Sequence, residues 1–497
     1  MDTFNQLKRW AAQLKDLGYV SSLLAWDQDV YMPKLALEHR SSQMATLSVL
    51  EHQMGTDPKV RGWLEELHVL ETEDTFEGAL VRVVRRSYEK TCKIPEAFAE
   101  DSARTYSAAH HAWTEARAAN DFKSFAPHLK KIWDLKRKYV ERVGFSDHPY
   151  DALLDDFEPG VKAQDIRKIF NDLRSRLLPL LKAIQSRGDV ADYSVLTRPF
   201  DIQKQDQFGW KIAKILGLHE DFARQDVAVH PFCTNLGRND IRITTRFDEH
   251  YFPDSLFSTW HETGHGMYEH NIDPIYAGTP LSCGTSMGVH ESQSRLFENI
   301  IGRSKAFWSR HFEEFKGLFP DALRNVSVDE FYRIINRVHA SYIRVDADEV
   351  TYNFHVILRF ELEMALIEET LSIDDLPETW NAKMQEYLGV TPPNDTLGVL
   401  QDVHWSFGLM GYFPTYTLGN LTSAQLYYAA QRQMGDVQPE FEKGNFAPLL
   451  EWMRLNVHQH GSRYLPNELI LRATQKPLSA DDYIQYLTEK YSEIYRL

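Results

Sequence analysis

Cysteine is scarce: Cys92, Cys233 and Cys283 are the only three in 497 residues, and no two form a CxxC pair. So thin and odd a set builds no disulfide framework and points to a reducing compartment. Long apolar runs are missing too. None approaches the roughly 18 residues that a bilayer-spanning helix needs, so no membrane partner is expected. The opening stretch MDTFNQLKRWAAQLKDLG has neither the apolar core nor the small-residue cleavage site of a secretory signal. The expected location is the cytoplasm. Positive charge is also short, with 55 Lys and Arg against 71 Asp and Glu and a net charge of -16. A nucleic-acid partner needs clustered basic groups to displace counterions, and is not expected here. Internal repeats, low-complexity tracts and long flexible linkers are lacking as well.

Aromatic and aliphatic side chains are plentiful: 11 Trp, 23 Tyr and 27 Phe, within a hydrophobic share of 43%. That supply suits a large buried core and argues against disorder. Length alone allows about three domains, but an elongated helical enzyme can use it as one unit. Most of the chain has helical periodicity. Phe4, Leu7, Trp10, Ala11, Leu14 and Leu17 trace one buried stripe. FAPHLKKIWDLKRKYVERV, IRKIFNDLRSRLLPLLKAIQ and ADDYIQYLTEKYSEIYRL follow suit, with breaks at DDFEPG (155–160) and GVTPPNDT (389–396). The reading is a mainly α protein, one domain over residues 1–497 with two helical lobes. DVAVHPFCT and NDIRITTRFDEHYF are the exception. Their β-branched alternation predicts a small sheet just upstream of residue 257. FPDS (252–255) then predicts a helix start, with Asp254 or Ser255 as its cap.

That helix carries FSTWHETGHGMYEH (257–270), with His261, Glu262 and His265 in HExxH spacing. Residues i and i+4 share a helix face, about 5–6 Å apart at Cβ, so two imidazoles can grip one zinc ion. Glu262 is rotated by about 100°, which puts it beside the ion, where it can take a proton from metal-bound water. A third ligand is needed. The metzincin continuation fails, because Tyr268 and Asn271 stand where Gly and His are required. His270, on another face, is read as a packing or surface histidine. In GTSMGVHESQSRLFENIIGRS (284–304), Glu291 opens a second helical pattern and can complete a His₂Glu site with an open fourth position. Glu298 in the same helix is its rival.

Several stretches then resemble the carboxypeptidase Taq family of zinc metallocarboxypeptidases: HPF (230–232), DIRIT (240–244), HETGH (261–265), HESQSR (290–295), IRVDAD (343–348) and GVLQDVHW (398–405), with WDQDVYMP (26–33) near the start. They run in order over most of the chain. The resemblance implies a mostly helical fold with a deep groove, akin to neurolysin and angiotensin-converting enzyme. It implies one divalent metal per chain, zinc with cobalt able to substitute, and a homodimer. The implied activity is release of single C-terminal residues from peptides with a free C-terminus. Carried over, His261, His265 and Glu291 are the ligands and Glu262 the general base.

An enzyme of C-termini must hold a free carboxylate, for which a bidentate arginine is best suited. Arg344 and Arg242 are the candidates, and the resemblance favours Arg344. Either could instead be held internally, Arg344 by Asp346 or Asp348 and Arg242 by Asp240 on the same strand face. IRITTRF could offer a free strand edge to an extended peptide, giving broad specificity. In HWSFGLMGYFPTY (404–416), read as a Gly-containing helical stretch, Tyr412 or Tyr416 would donate to the oxyanion. His404, and with it His230, would contact the substrate backbone, although His230 could merely brace the fold. Cleavage next to proline should be poor. The alternatives are an oligopeptidase or endopeptidase on the same scaffold, a non-catalytic helical scaffold, and an aminopeptidase, for which no amine-gripping carboxylate cluster is legible.

Overall fold

A computed structural model describes residues 2–497 as helices with one small sheet. The chain divides into two compact units. One runs from the N-terminus to Cys92 and includes Ala191–Asn336 and Thr422–Pro477; the other takes Lys93–Val190, Arg337–Leu421 and Leu478–Leu497. No helix among the described residues is long and apolar enough to cross a membrane.

The first unit opens with the helix Thr3–Val30, capped by Asp2, whose carboxylate accepts from the Asn5 amide at 2.8 Å. Its expected stripe faces inward: Leu7, Trp10 and Ala11 are buried with Leu80, Val84, Ile272 and Leu281. A second, aromatic core lies around Trp260. There Phe208, Phe307 and Trp308 pack at ring-centroid distances of 6.4, 5.2 and 6.1 Å. Its apolar payload fixes the helix Phe252–His270, which carries the HExxH residues and has Phe252, Leu256, Phe257 and Trp260 buried.

The sheet sits beside that helix, as expected, in the order β1 (Ala223–Val227), β3 (Ile241–Thr245), β2 (Cys233–Asn235). Two expectations need correction. β3, the core of IRITTRF, is central: it pairs parallel with β1 and antiparallel with β2, so it offers no free edge to a peptide. Its buried residues explain this, since Ile241, Ile243, Thr244 and Thr245 are all enclosed. The helix is also not capped by Asp254 or Ser255. It starts at Phe252 with Tyr251 at the cap position and no side-chain cap bond, and Pro253 removes one of the amides a cap would have to satisfy. Asp254 instead pairs with Arg246, and the Ser255 hydroxyl donates to Gln205.

In the second unit, Phe122–Val143, Ala163–Arg187 and Tyr352–Ile367 are the principal helices, and Phe360 packs on Tyr150 and Phe170 at 5.5 and 5.3 Å. The 404–416 stretch differs from the continuous helix expected. A short turn, His404–Phe407, is followed by Gly408 and Gly411 at φ 70° and 93°, and a new helix begins only at Pro414. Both glycines hold left-handed backbone that other residues resist.

Candidate metal centre

His261 and His265 project from one face of the HExxH helix, their ring centroids 5.0 Å apart. The helix Met287–Arg295 brings Glu291 opposite them. Its Oε2 lies 3.6 Å from Nε2 of each imidazole. One ligand atom from each of the three residues falls within 4.8 Å of the others. Donors around a tetrahedral zinc ion stand about 3.3 Å apart, so two imidazoles and a carboxylate at this spacing fit a divalent cation in number, chemistry and reach.

The close approach of the two helices depends on Gly264. A Cβ there would come within 2.4 Å of the Gln293 carbonyl oxygen and 2.7 Å of the Ser294 Cα. Backbone meets backbone, which the middle of HETGH permits only because it lacks a side chain. Beyond Glu291 the helix widens into a π-turn, Leu296–Ile301, which carries Glu298. Such turns recur at functional sites.

Around the three donors lies a shell of hydrogen bonds. His261 Nδ1 donates to Glu298 at 2.8 Å. Arg295 ties both glutamates down, its Nε donating to Glu291 at 2.7 Å and its Nη1 to Glu298 at 3.1 Å. His265 Nδ1 lies 2.6 Å from His290 Nδ1, and His290 Nε2 lies 2.8 Å from Glu269. Sequence reasoning gave no part to His290, Glu269 or Arg295; the signal present was their place in or beside HESQSR and HETGH. Glu298 was the rival ligand, and it bonds the far nitrogen of His261 instead.

The electrostatics divide the carboxyls. Burial pushes Glu262 up to about 7, with Glu291 and Glu298 adding to the rise against the pull of His261. Glu291, which burial alone would raise, is held far below the carboxylate range by Arg295 and His261. Glu298 is likewise held at about 2 against burial by Arg295 and His261. Burial lowers His265 to about 4, which favours the neutral ring that a metal ligand must present.

The other expected residues fall in two places. In the first unit, Arg242 makes a bidentate pair with Asp240 at 2.9 and 3.0 Å and lies 4.2 Å over the Trp26 ring. His230 is exposed, and His270 stacks on Phe222 at 3.6 Å, a packing role as expected. In the second unit, Arg344, His404, Tyr412 and Tyr416 come together. The Arg344 guanidinium lies 4.7 Å over the Tyr416 ring, and His404 Nε2 is 3.1 Å from the Tyr416 hydroxyl. Tyr412 stacks edge-on against Phe157 at 5.1 Å. Arg344 is paired, though with neither Asp346 nor Asp348. Its partner is Asp402, at 2.9 Å, which also holds Arg359 at 2.5 Å. Asp402 and Arg359 had no part in the sequence reading, although Asp402 lies within GVLQDVHW.

The comparisons with known proteins agree over the full length. The family profile for carboxypeptidase Taq (M32) metallopeptidases matches residues 6–491. Thermostable carboxypeptidase 1 of Thermus thermophilus is 41% identical, over 99% of this chain and 98% of its own. Carboxypeptidase 1 of Bacillus subtilis is 39% identical over the whole of both chains. Among solved structures, the M32 carboxypeptidase of Deinococcus radiodurans superposes with a TM-score of 0.95 at 40% identity, covering 100% of both chains. A Pyrococcus furiosus carboxypeptidase gives 0.96 at 38% identity, over 99% of each. The chain belongs to the carboxypeptidase Taq (M32) metallopeptidase family and is a metal-dependent peptide hydrolase of the carboxypeptidase class.

Proposed function

We propose that this enzyme removes single residues, with broad specificity, from the free C-terminus of peptides, and that zinc, replaceable by cobalt, is its metal. His261, His265 and Glu291 are the ligands in this reading. The observation that carries it is their convergence within 4.8 Å beside the buried Glu262, in a chain of carboxypeptidase family. The ion would supply Lewis acidity, polarising the scissile carbonyl and acidifying water. Glu262 then takes up one proton at its carboxylate as water adds to the carbonyl, and returns it to the departing nitrogen. Glu298 and Arg295 hold His261 and Glu291 in place.

For the substrate, Arg344 is assigned to the terminal carboxylate, His404 and His230 to the peptide backbone, and Tyr412 or Tyr416 to the oxyanion. Two buried guanidiniums, Arg344 and Arg359, share the single carboxylate of Asp402, which leaves a positive charge for an incoming anion. Arg242 is the second choice, because Asp240 answers it one carboxylate to one guanidinium along its Nε–Nη2 edge, which leaves no surplus positive charge there. Cleavage beside proline should be poor, since its tertiary amide disturbs the approach. Both units serve one catalytic domain in this reading, the family profile running through each of them. A homodimer is proposed from the family resemblance, and a cytoplasmic setting from the three free cysteines, which suit a reducing compartment.

The test is digestion of one unstructured peptide, as free acid and as C-terminal amide, read by mass spectrometry. A ladder from the free acid alone is expected. Glu262→Gln should slow it by about 10²–10⁴-fold while metal content stays unchanged. Internal cuts in both peptides would replace the exopeptidase reading with an endopeptidase on the same scaffold.

A further inference from the structure

We propose that Glu269 and His290 are positioning residues that hold His265 in the tautomer whose Nε2 is bare, presetting that nitrogen for the cation. The proposal rests on His261, His265 and Glu291 being the ligands.

The series of contacts is anchored at Glu269. Glu269 is 7% exposed, and three groups point at its carboxylate. Oε1 receives the Gly284 amide at 3.0 Å and faces His290 Nε2 at 2.8 Å; Oε2 receives the Asn235 side-chain amide at 2.6 Å. The Lys15 ammonium adds positive charge nearby. A carboxyl so surrounded is an acceptor at both oxygens, so His290 Nε2 must carry a hydrogen. In a neutral ring its Nδ1 is then a lone pair, and it lies 2.6 Å from His265 Nδ1. Two lone pairs cannot face each other at that distance. His265 Nδ1 therefore carries the hydrogen, and its Nε2, the atom 3.6 Å from Glu291, is left bare.

Packing keeps the relay in register. A Cβ at Gly284 would come 2.7 Å from His290 Cδ2 and 2.8 Å from Tyr268 Cε1, so these rings are seated against bare backbone. His261 reaches the same tautomer by a shorter device, one direct bond to Glu298. The longer device has an electrostatic logic. Glu262, Glu291 and Glu298 already crowd the site, and an imidazole spacer passes on the orientation without a fourth carboxylate touching a ligand ring.

The experiment measures the zinc dissociation constant by chelator competition and the visible spectrum of the cobalt-loaded protein. It compares the wild type with Glu269→Gln, His290→Phe and His290→Asn, and records the thermal midpoint of each metal-free form. His290→Phe removes the acceptor and should weaken zinc binding by about 10–100-fold and alter the cobalt spectrum; Glu269→Gln should shift both in the same direction. The amide oxygen of His290→Asn can accept from His265 Nδ1, so that variant should recover most of the affinity. Binding within about twofold of wild type in both His290→Phe and Glu269→Gln overturns the relay. So does a loss that merely follows the metal-free midpoint and is not recovered by His290→Asn. A wild-type protein that binds no stoichiometric zinc overturns the ligand assignment itself, a failure visible before any variant is made.

Discussion

Two buried polar clusters, one in each compact unit, carry opposite surpluses of charge. Around the HExxH helix, Arg295 meets Glu291 and Glu298 at full contact and Arg303 meets Glu298 at 3.6 Å, while Glu262 is buried beside them. In the second unit, Arg344 and Arg359 divide one carboxylate, Asp402, between them, and Tyr352 and Gln401 fill the remaining directions with neutral bonds. The first cluster is short of positive charge and the second short of negative. Isolated charges are costly to bury, so a fold that keeps both surpluses has an incentive to complete them from outside. A divalent cation would complete one, and a peptide's terminal carboxylate the other. The imbalance also separates the residues that chemistry would use from those that merely hold the fold.

Removing the shared anion should expose the difference most sharply. Asp402→Asn leaves two enclosed guanidiniums without a counter-charge, and should cost about 3–5 kcal/mol in denaturant-unfolding experiments. A loss under about 1 kcal/mol would mean that water already reaches that cluster. In the HExxH cluster the equivalent stress is steric. Gly264→Ala drives a methyl into the Gln293 carbonyl and should cost about 1–3 kcal/mol while also weakening metal uptake. Unchanged unfolding and unchanged uptake would show that the two helices can part freely.

Acid should act on the second cluster through His404. Burial, and then the Arg344 charge, lower it from 6.5 to about 3. Between those values the unfolded chain binds a proton that the folded ring refuses, so this contribution is complete above pH 6.5 and drains away as pH falls towards 3. At pH 5 the loss should be about 1–2 kcal/mol relative to pH 7, and His404→Gln should flatten that part of the profile. An identical pH slope in the variant would assign the acid sensitivity to other histidines, such as His458, which burial also lowers to about 3. The smallest effect is expected at Arg242. Its partner Asp240 is half exposed, so Arg242→Met should change stability by less than about 1 kcal/mol. If it abolishes peptide binding instead, the carboxylate anchor belongs there and not at Arg344.

Much of this was legible from residue order wherever the physics is local. Helical periodicity exposed the stripe of Leu7, Trp10 and Ala11, and the four-residue spacing put His261 and His265 on one face. A strand–helix switch placed the sheet beside them. Glu291 and Glu298 could not be separated by spacing alone, because both face the HExxH helix and the distinction lies in which nitrogen of His261 each one meets. What was hidden depends on contacts across long stretches of chain. Asp402 finds Arg344 from 58 residues away, and no local rule prefers it to Asp346 or Asp348. β3 looked like an edge because alternation reports burial of a face and says nothing about neighbours on either side. The His265–His290–Glu269 series joins two helices, and single-helix spacing does not see it.

Gly264 bears on how such a site tolerates change. Where side chains separate two helices, a substitution can be absorbed by a rotamer shift, and the gap is elastic. Here the spacer has zero thickness, so the distance between the imidazoles and Glu291 is gauged by peptide planes in direct contact. A gauge of that kind has one setting. Variation elsewhere in either helix can alter what surrounds the aperture, but it has little purchase on the aperture's width.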